Sequence, residues 1–245
     1  MSKVKMASSL VQHPDDVLGV VGGMGPLAST EFLKTIYEQG SWEREQEAPR
    51  VVVYSDPTFI DRTEAFRNGH DAQLLEQLIT ALTRLRAIGA SHIVICCVTI
   101  HYLLPRVPHE LQSQLLSLID VIYDELTATN EPHLLLCTSA TREMGIFEKH
   151  KLWTQTRGRF VLPNDSDQRE IHRMIYTIKQ SQDVRQQIPF VKDLLAKYHV
   201  NAFIAGCTEI HLLSRHFATN RRCIDPLMSI ARELTNRSVK SAAAH

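Results

Sequence analysis

A cysteine-containing segment occurs twice in this chain. The first copy reads Ile95-Cys96-Cys97-Val98-Thr99-Ile100-His101, and the second reads Ala205-Gly206-Cys207-Thr208-Glu209-Ile210-His211. In each copy a cysteine ends a short apolar run, a histidine follows four residues later, and two leucines lie close behind. The repeat indicates two similar halves. A duplicated thiol suits a reaction that removes a proton from one face of a carbon and returns one to the other.

Short apolar runs alternate with longer amphipathic segments along the chain. The apolar runs predict strands at Val17–Gly22, Arg50–Ser55, His92–Cys97, His133–Cys137, Arg159–Leu162, Asn201–Cys207 and Arg222–Asp225. The amphipathic segments predict helices at Ala28–Trp42, Asp71–Ile88, Val107–Thr127, Arg142–Lys149, Ser166–Gln180, Asp183–Tyr198 and Leu227–Asn236. This order predicts an α/β fold whose mostly parallel sheets are flanked by helices.

The repeat extends beyond the two cysteines. Segments of the first half match segments of the second: Val17–Gly25 with Leu134–Thr141, Ala90–His101 with Asn201–His211, and Asp120 with Asp225. We therefore expect two similar lobes related by a pseudo-two-fold axis, spanning 17–128 and 129–237 and joined near 127–132. A flexible leader at 1–16 and a flexible tail at 238–245 would flank them, with the final segment free to cross to the first lobe. Because ligands bind beyond the carboxyl ends of parallel strands, both cysteines would face one cleft.

Composition argues against several classes of protein. Lys and Arg total 27, as do Asp and Glu, and no basic stripe indicates nucleic-acid binding. No apolar run approaches the roughly 20 residues that a membrane helix needs, and residues 1–16 lack the apolar core of a secretory signal. Five cysteines without a CxxC pair favour a reducing, cytoplasmic location over a disulfide framework. Zinc held by the repeated Cys and His pairs is disfavoured, since residues at a strand end need not face the same way.

A glycine-rich turn follows the first predicted strand. Gly22-Gly23-Met24-Gly25-Pro26 precedes a helix, so Met24 and Gly25 can expose backbone amides to an anion. Neither the GxGxxG nor the P-loop spacing is satisfied, which favours a carboxylate over a dinucleotide. A simple tight turn is the alternative.

Other polar residues at predicted strand ends are candidates for the same cleft. Arg62 could grip a carboxylate through two parallel hydrogen bonds, and Glu209 could orient a thiol or carry protons. Their alternatives are a surface arginine and a residue favoured at a helix start. Hydroxyls at strand ends could donate to an anion or merely cap helices: Thr99, Thr138, Thr141 and Thr208. His101 and His211 could tune the thiols or simply pack in the core.

Together these residues resemble the aspartate/glutamate racemase family, the cofactor-independent two-cysteine racemases, and within it the aspartate racemase branch. The resemblance runs from Val17 to Asn236. It rests on four motifs: Gly22-Gly23-Met24-Gly25-Pro26-Leu27-Ala28-Ser29-Thr30, Asp61-Arg62-Thr63, Cys97-Val98-Thr99-Ile100-His101, which is similar to the family's Cys-Asn-Thr-Ala-His, and Gly206-Cys207-Thr208-Glu209-Ile210, which is similar to its Gly-Cys-Thr-Glu.

The resemblance implies an active site between two α/β lobes, no pyridoxal phosphate or other cofactor, and a homodimer. It implies that Cys97 and Cys207 are the acid/base pair that interconverts L- and D-aspartate or glutamate. Residues placed near the substrate carboxylates by the resemblance are Thr99, Thr138 and Thr208 for the α-carboxylate, and Arg62 with Lys179 for the side chain.

Two positions depart from the family pattern. Val98 replaces an Asn that supplies hydrogen-bond donors to the substrate, and Ala140 replaces the Gly of a Thr-x-Gly-Thr motif. These departures leave three functions open. They are a racemase for aspartate or glutamate, a related isomerase or decarboxylase acting on another substrate, and a ligand-binding protein with little or no catalysis.

Overall fold

The computed structural model of the chain describes residues 16–180, 183–220 and 223–242. Most of the predicted leader (1–15), the end of the predicted tail (243–245) and the predicted strand residue Arg222 lie outside the described residues.

Two four-stranded parallel sheets form the framework. The first contains β1 (Val17–Gly22), β2 (Arg50–Ser55), β3 (His92–Ile95) and β4 (Leu115–Leu116), in the order β2-β1-β3-β4. The second contains β5 (His133–Leu136), β6 (Phe160–Val161), β7 (Ala202–Ala205) and β8 (Cys223–Ile224), in the order β6-β5-β7-β8. The two orders are equivalent, so the prediction of an α/β fold with two similar lobes is confirmed.

Helices connect and cover the strands. In chain order they are α1 (Pro26–Gln39), α2 (Arg62–Asn68), α3 (Asp71–Ala87), α4 (His109–Gln112), α5 (Leu118–Thr127), α6 (Ser139–Glu143), α7 (Trp153–Thr156), α8 (Asp165–Gln180), α9 (Ile188–Lys197), α10 (His211–Ser214) and α11 (Pro226–Ala242). Short 3₁₀ segments occupy Glu45–Glu47, Thr99–Arg106, Arg157–Arg159, Val184–Gln187, Thr208–Ile210 and Arg215–Asn220. Helix α11 follows the second sheet but packs against α1 and α5 of the first lobe.

The prediction of one continuous helix over Val107–Thr127 is wrong. The segment contains α4, then β4, then α5. Leu115 and Leu116 pair with Ile93 and Val94 at the edge of the first sheet. The Ser117 side chain then accepts a hydrogen bond from the Asp120 amide and caps α5. The apolar periodicity continues across this break, which is why it concealed the short strand.

The predicted helix over Arg142–Lys149 is also wrong. Helix α6 begins at Ser139, capped by the Thr138 side chain, and ends at Glu143. Gly145 then adopts a left-handed conformation with φ of 60°, which favours glycine and turns the chain away from a helical path.

The hydrophobic core is shared between the lobes. One cluster contains Leu18 of β1, Leu135 of β5, Ile204 of β7 and Leu227 of α11. A second cluster lies under α3 in the first lobe, and a third lies under α8 and α9 in the second. The central cluster joins both sheets, so it fixes the strand ends of one lobe relative to those of the other. Within the described residues, no helix is long and apolar enough to span a membrane.

Gly206, which lies between β7 and Cys207, closely approaches the end of the neighbouring strand β5. A Cβ at this position would lie 2.7 Å from Leu135 Cδ1 and 2.9 Å from Cys137 Cβ. We expect Gly206→Ala to lower the free energy of unfolding by about 1–3 kcal/mol, because a packed core must shift to admit the methyl group. Urea unfolding measures the change. Gly158→Ala is the control, since a Cβ there meets nothing within 4 Å. Equal losses in both variants would contradict the close approach.

Candidate active site

Cys97 and Cys207 occupy equivalent positions in the two lobes. Each lies two residues beyond its strand, β3 for Cys97 and β7 for Cys207. Their exposed fractions are closely matched, at 6% and 5%. The two loops meet where Thr208 Oγ1 donates a hydrogen bond to the carbonyl oxygen of Cys96, at 3.2 Å. The charge of Cys97 is among the causes that raise the pKa of Cys207, so the thiols are within electrostatic reach of each other.

Glu209 contacts the second thiol directly. Its carboxylate is 2% exposed, and Oε2 accepts a hydrogen bond from Cys207 Sγ at 2.8 Å. In the part of the chain that the structure describes, Oε1 has no hydrogen-bond partner. Gly25 faces this oxygen so closely that a Cβ would lie 2.2 Å from it. Burial and the charge of Glu209 raise the pKa of Cys207 well above its ordinary value, against an opposing effect of Lys179.

Arg62 is the first residue of α2 and is 8% exposed. Its Nη2 donates to the carbonyl oxygen of Met24 at 2.8 Å, and its Nη1 donates to that of Ile60 at 3.2 Å. Burial alone would lower the pKa of Arg62, but the charges of Cys97, Asp61 and Glu209 outweigh it and the pKa is raised. A buried, permanently charged guanidinium therefore stands close to both thiol loops.

Asp61 links the two lobes beside Arg62. Its Oδ1 accepts from the amides of Thr63 and Glu64 and caps α2. Its Oδ2 accepts from the hydroxyl of Tyr176 at 2.7 Å and lies 3.8 Å from Lys179 Nζ, both on α8 of the second lobe. Burial opposes ionisation of Asp61, yet the Tyr176 hydrogen bond and the Arg62 charge help to lower its pKa overall.

Three threonine hydroxyls form a cluster across the lobes. Thr99 Oγ1 lies 3.2 Å from Thr138 Oγ1 and 2.8 Å from Thr141 Oγ1, which are themselves 3.0 Å apart. All three side chains are buried. Thr99 comes from the first cysteine loop, whereas Thr138 and Thr141 follow β5 of the second lobe. The cluster therefore concentrates hydroxyl donors where the strand ends converge.

Comparison with known protein families agrees with this fold of two equivalent sheets. The Asp/Glu/hydantoin racemase family matches residues 21–234. The chain belongs to this family. Its fold is similar to that of Picrophilus torridus aspartate racemase, with a TM-score of 0.78 and 25% identity, covering 91% of this chain and 94% of the other.

Two further structures share the fold of this racemase-family protein. An aspartate racemase homologue from Pyrococcus horikoshii OT3 has a TM-score of 0.64 and 21% identity, covering 91% of this chain and 99% of the other. Glutamate racemase from Campylobacter jejuni subsp. jejuni has a TM-score of 0.55 and 18% identity, covering 90% of this chain and 85% of the other.

The two histidines tie the cysteine loops of this racemase-family protein to its scaffold. His101 Nδ1 donates to the carbonyl oxygen of Cys97 at 2.8 Å, and Nε2 accepts from the amide of Leu118 at 3.2 Å. Burial lowers the pKa of His101 to about 4, which matches a neutral ring with one donor and one acceptor. Its ring nitrogens are thus engaged by backbone groups rather than by the thiols.

His211 makes a comparable connection through side chains. Its Nδ1 donates to Asp225 Oδ2 at 2.7 Å, and its Nε2 lies 3.0 Å from Thr35 Oγ1 of α1. Burial would lower the pKa of His211, but the Asp225 carboxylate outweighs it and the pKa is raised. Asp225 Oδ1 also caps α11 by accepting from the amides of Leu227 and Met228.

Sequence reasoning did not single out Tyr176 as a residue of this cleft. The signal was its position three residues before Lys179 on α8, which places both on one helix face. Lys179 Nζ lies 4.1 Å from the centre of the Tyr176 ring. Within the described ranges, no group of three or more His, Cys, Asp or Glu side chains is arranged to hold a metal ion.

Both departures from the family motifs are fully buried in the central core. Val98 and Ala140 belong to the cluster that joins the two sheets. The Val98 side chain therefore packs among apolar residues, although it stands directly between Cys97 and Thr99.

Restoring the family amide at position 98 tests this packing. We expect Val98→Asn to lower the free energy of unfolding by about 1–3 kcal/mol, because a buried amide without partners is costly. Urea unfolding measures the loss. Ile88→Asn is the control, since Ile88 is 62% exposed and the substitution should change stability little. A Val98→Asn protein as stable as the wild type would place side chain 98 in the cleft instead.

Proposed function

We propose that this protein is an amino-acid racemase that interconverts the L and D forms of aspartate or glutamate without pyridoxal phosphate. The proton would move at Cα between Cys97 and Cys207. Membership of the racemase family supports racemisation in general. The observation that carries the two-thiol proposal is the meeting of two equivalent cysteine loops from opposite lobes.

The chemistry needs one thiolate and one thiol. The thiolate removes the Cα proton from one face, and the thiol on the other side returns a proton to the opposite face. In the reverse reaction the two cysteines exchange the roles of acid and base, so both enantiomers of the substrate can react. Two thiols supply both proton positions, which is why the proposal requires no cofactor for proton transfer.

The cleft must stabilise negative charge that develops on the substrate. A free thiol has a pKa of about 8.5, whereas the Cα proton of an amino acid is far less acidic. Preorganised donors in a water-poor site can offset this mismatch. The hydroxyl cluster of Thr99, Thr138 and Thr141 is buried at the strand ends and can serve the α-carboxylate.

Three charged groups favour an acidic amino acid as substrate. Arg62 is buried and cationic, and Lys179 Nζ lies 3.8 Å from Asp61 Oδ2 and 4.1 Å from the centre of the Tyr176 ring. These two cations can receive a side-chain carboxylate. The buried, unpartnered Oε1 of Glu209 can accept from an α-ammonium group, which favours an amino acid over a hydroxy acid.

Single-cysteine variants test the two-thiol mechanism. We expect Cys97→Ala and Cys207→Ala each to lower the racemisation rate at least about 10²-fold, the lower range for loss of a general acid or base. Polarimetry follows racemisation, and NMR in deuterated water follows exchange of the Cα proton. Cys223→Ala, on edge strand β8, is the control and should keep wild-type activity. A wild-type racemisation rate in either Cys97→Ala or Cys207→Ala would contradict the two-thiol mechanism.

Arg62 provides a test of the substrate class. A chiral screen without added cofactor, with aspartate and glutamate first, identifies the preferred acid. Arg62→Lys should lower kcat/KM for that acid about 10- to 100-fold, as expected for a lost hydrogen bond to a charged group. Its effect on alanine should be much smaller. Arg67→Lys is the matched control, because Arg67 lies on the same helix but pairs with exposed Glu143.

Two outcomes would contradict this substrate assignment. Equal losses with the acidic substrate and with alanine would indicate that Arg62 acts only through the loop that it holds. Isomerisation or decarboxylation of a dicarboxylic acid, without racemisation of any amino acid, would favour the related isomerases and decarboxylases.

A further inference from the structure

The two halves of the molecule differ at the position two residues after each cysteine. Thr99 follows Cys97, and its hydroxyl is engaged by the other threonines of the cluster. Glu209 follows Cys207, and its carboxylate accepts a hydrogen bond from the thiol at 2.8 Å. One thiol therefore has a carboxylate acceptor from its own loop, and the other has a hydroxyl at the matched position.

Burial does not distinguish the two thiols, because their exposed fractions are 6% and 5%. The charged groups around the two thiols do distinguish them. Cys207 faces Glu209 of its own loop, Lys179 of α8 and Cys97 of the opposite lobe. Cys97 interacts electrostatically with the Arg62 guanidinium, and also with Cys207, the adjacent Cys96 and the Tyr102 phenol. A nearby cation favours a thiolate, whereas a nearby carboxylate favours a thiol.

We infer that the free enzyme keeps its proton on Cys207, bound to Glu209, and carries its thiolate at Cys97. The inference rests on the proposed function, in which these thiols are the acid and the base. It assigns Glu209 as the residue that makes two otherwise equivalent cysteines unequal. Glu209 acts through the thiol that it contacts, so for this property it is a positioning residue.

The proton balance of one turnover shows what the inequality does. The Cys97 thiolate forms an S–H bond with the proton taken from Cα. The S–H bond of Cys207 breaks, and its proton goes to the opposite face of the substrate. The enzyme that releases product then has a thiolate at Cys207 beside the Glu209 carboxylate. Repulsion between the Cys207 thiolate and the Glu209 carboxylate disfavours this protonation state. The enzyme returns to the resting state when Cys97 loses a proton to water and Cys207 gains one from water.

Thiol alkylation without substrate tests the resting state. The full-length protein is treated with iodoacetamide between pH 6 and 9, and mass spectrometry of peptides gives separate rates for Cys97 and Cys207. We expect Cys97 to react at least about tenfold faster at pH 7.5, since one pKa unit changes the thiolate fraction about tenfold. The rise of the Cys207 rate with pH should be displaced to higher pH than that of an ordinary thiol, because burial and the Glu209 charge raise the pKa of Cys207. The similar residue exposures of the two cysteines, 6% and 5%, limit the part that access plays in the comparison.

Glu209→Gln tests the cause of the inequality, because it keeps the shape of the side chain and removes the charge. The Cys207 rate should rise about tenfold or more, whereas the Cys97 rate should change less than about threefold. Glu209→Asp keeps the charge and should keep Cys207 the slower thiol. Glu143→Gln removes an exposed carboxylate and should alter neither rate. Equal wild-type rates, or equal acceleration of both thiols in Glu209→Gln, would overturn the inference.

Failure of this inference is distinguishable from failure of the proposed function. Alkylation requires no turnover, and racemisation by the single-cysteine variants requires no difference in alkylation. Equal alkylation together with lost racemisation in both variants would keep the racemase and overturn the inequality. The opposite result is also possible. If Glu209→Gln abolishes unequal alkylation but Cys97→Ala or Cys207→Ala keeps full racemisation, the two thiols are unequal and this inequality has no role in catalysis.

Discussion

The hydrogen bond from Thr208 Oγ1 to the carbonyl oxygen of Cys96 is the contact on which the site depends. It joins the two cysteine loops directly and draws the carboxyl ends of β3 and β7 together. The shared core behind it holds both sheets, so neither lobe can shift without disturbing buried apolar contacts. The proposed mechanism, in which the two sides of the cleft present thiols to the same carbon, needs this rigidity.

The histidines explain how the loops keep their shape. His101 connects the Cys97 carbonyl to the start of α5, and His211 connects its loop to Asp225, which caps α11. In each lobe the residue four positions after the cysteine therefore reaches the helix that follows the edge strand. The repeated spacing, which suggested thiol tuning, also has a structural cause, because both loops need an anchor at the same distance. His101 is a neutral anchor, whereas His211 is hydrogen-bonded to the buried Asp225 carboxylate, which raises the pKa of the ring.

Much of the framework was accessible from sequence because its signals are local. The apolar runs of β1 and β2 have the bounds that were predicted, and the repeat anticipated two lobes. The failures occurred where tertiary contacts override periodicity. Leu115 and Leu116 continue a helical pattern, yet pairing with β3 makes them a strand. Gly145 ends a helix that the pattern would have continued.

Local sequence patterns alone indicate the chemistry that is available: two thiols at matched strand ends, a glycine-rich turn, and charged residues at fixed offsets from them. Which of these groups meet depends on how the chain folds. The tertiary structure brought Glu209 against Cys207 and left Glu209 Oε1 without a hydrogen-bond partner among the described residues. It placed Gly25 against this oxygen, where a Cβ would not fit. It also turned Val98 into the core beside Cys97. Local spacing brings together residues that are close in the sequence. Contacts between the lobes involve residues far apart in the sequence, and they depend on how the two sheets pack over one core.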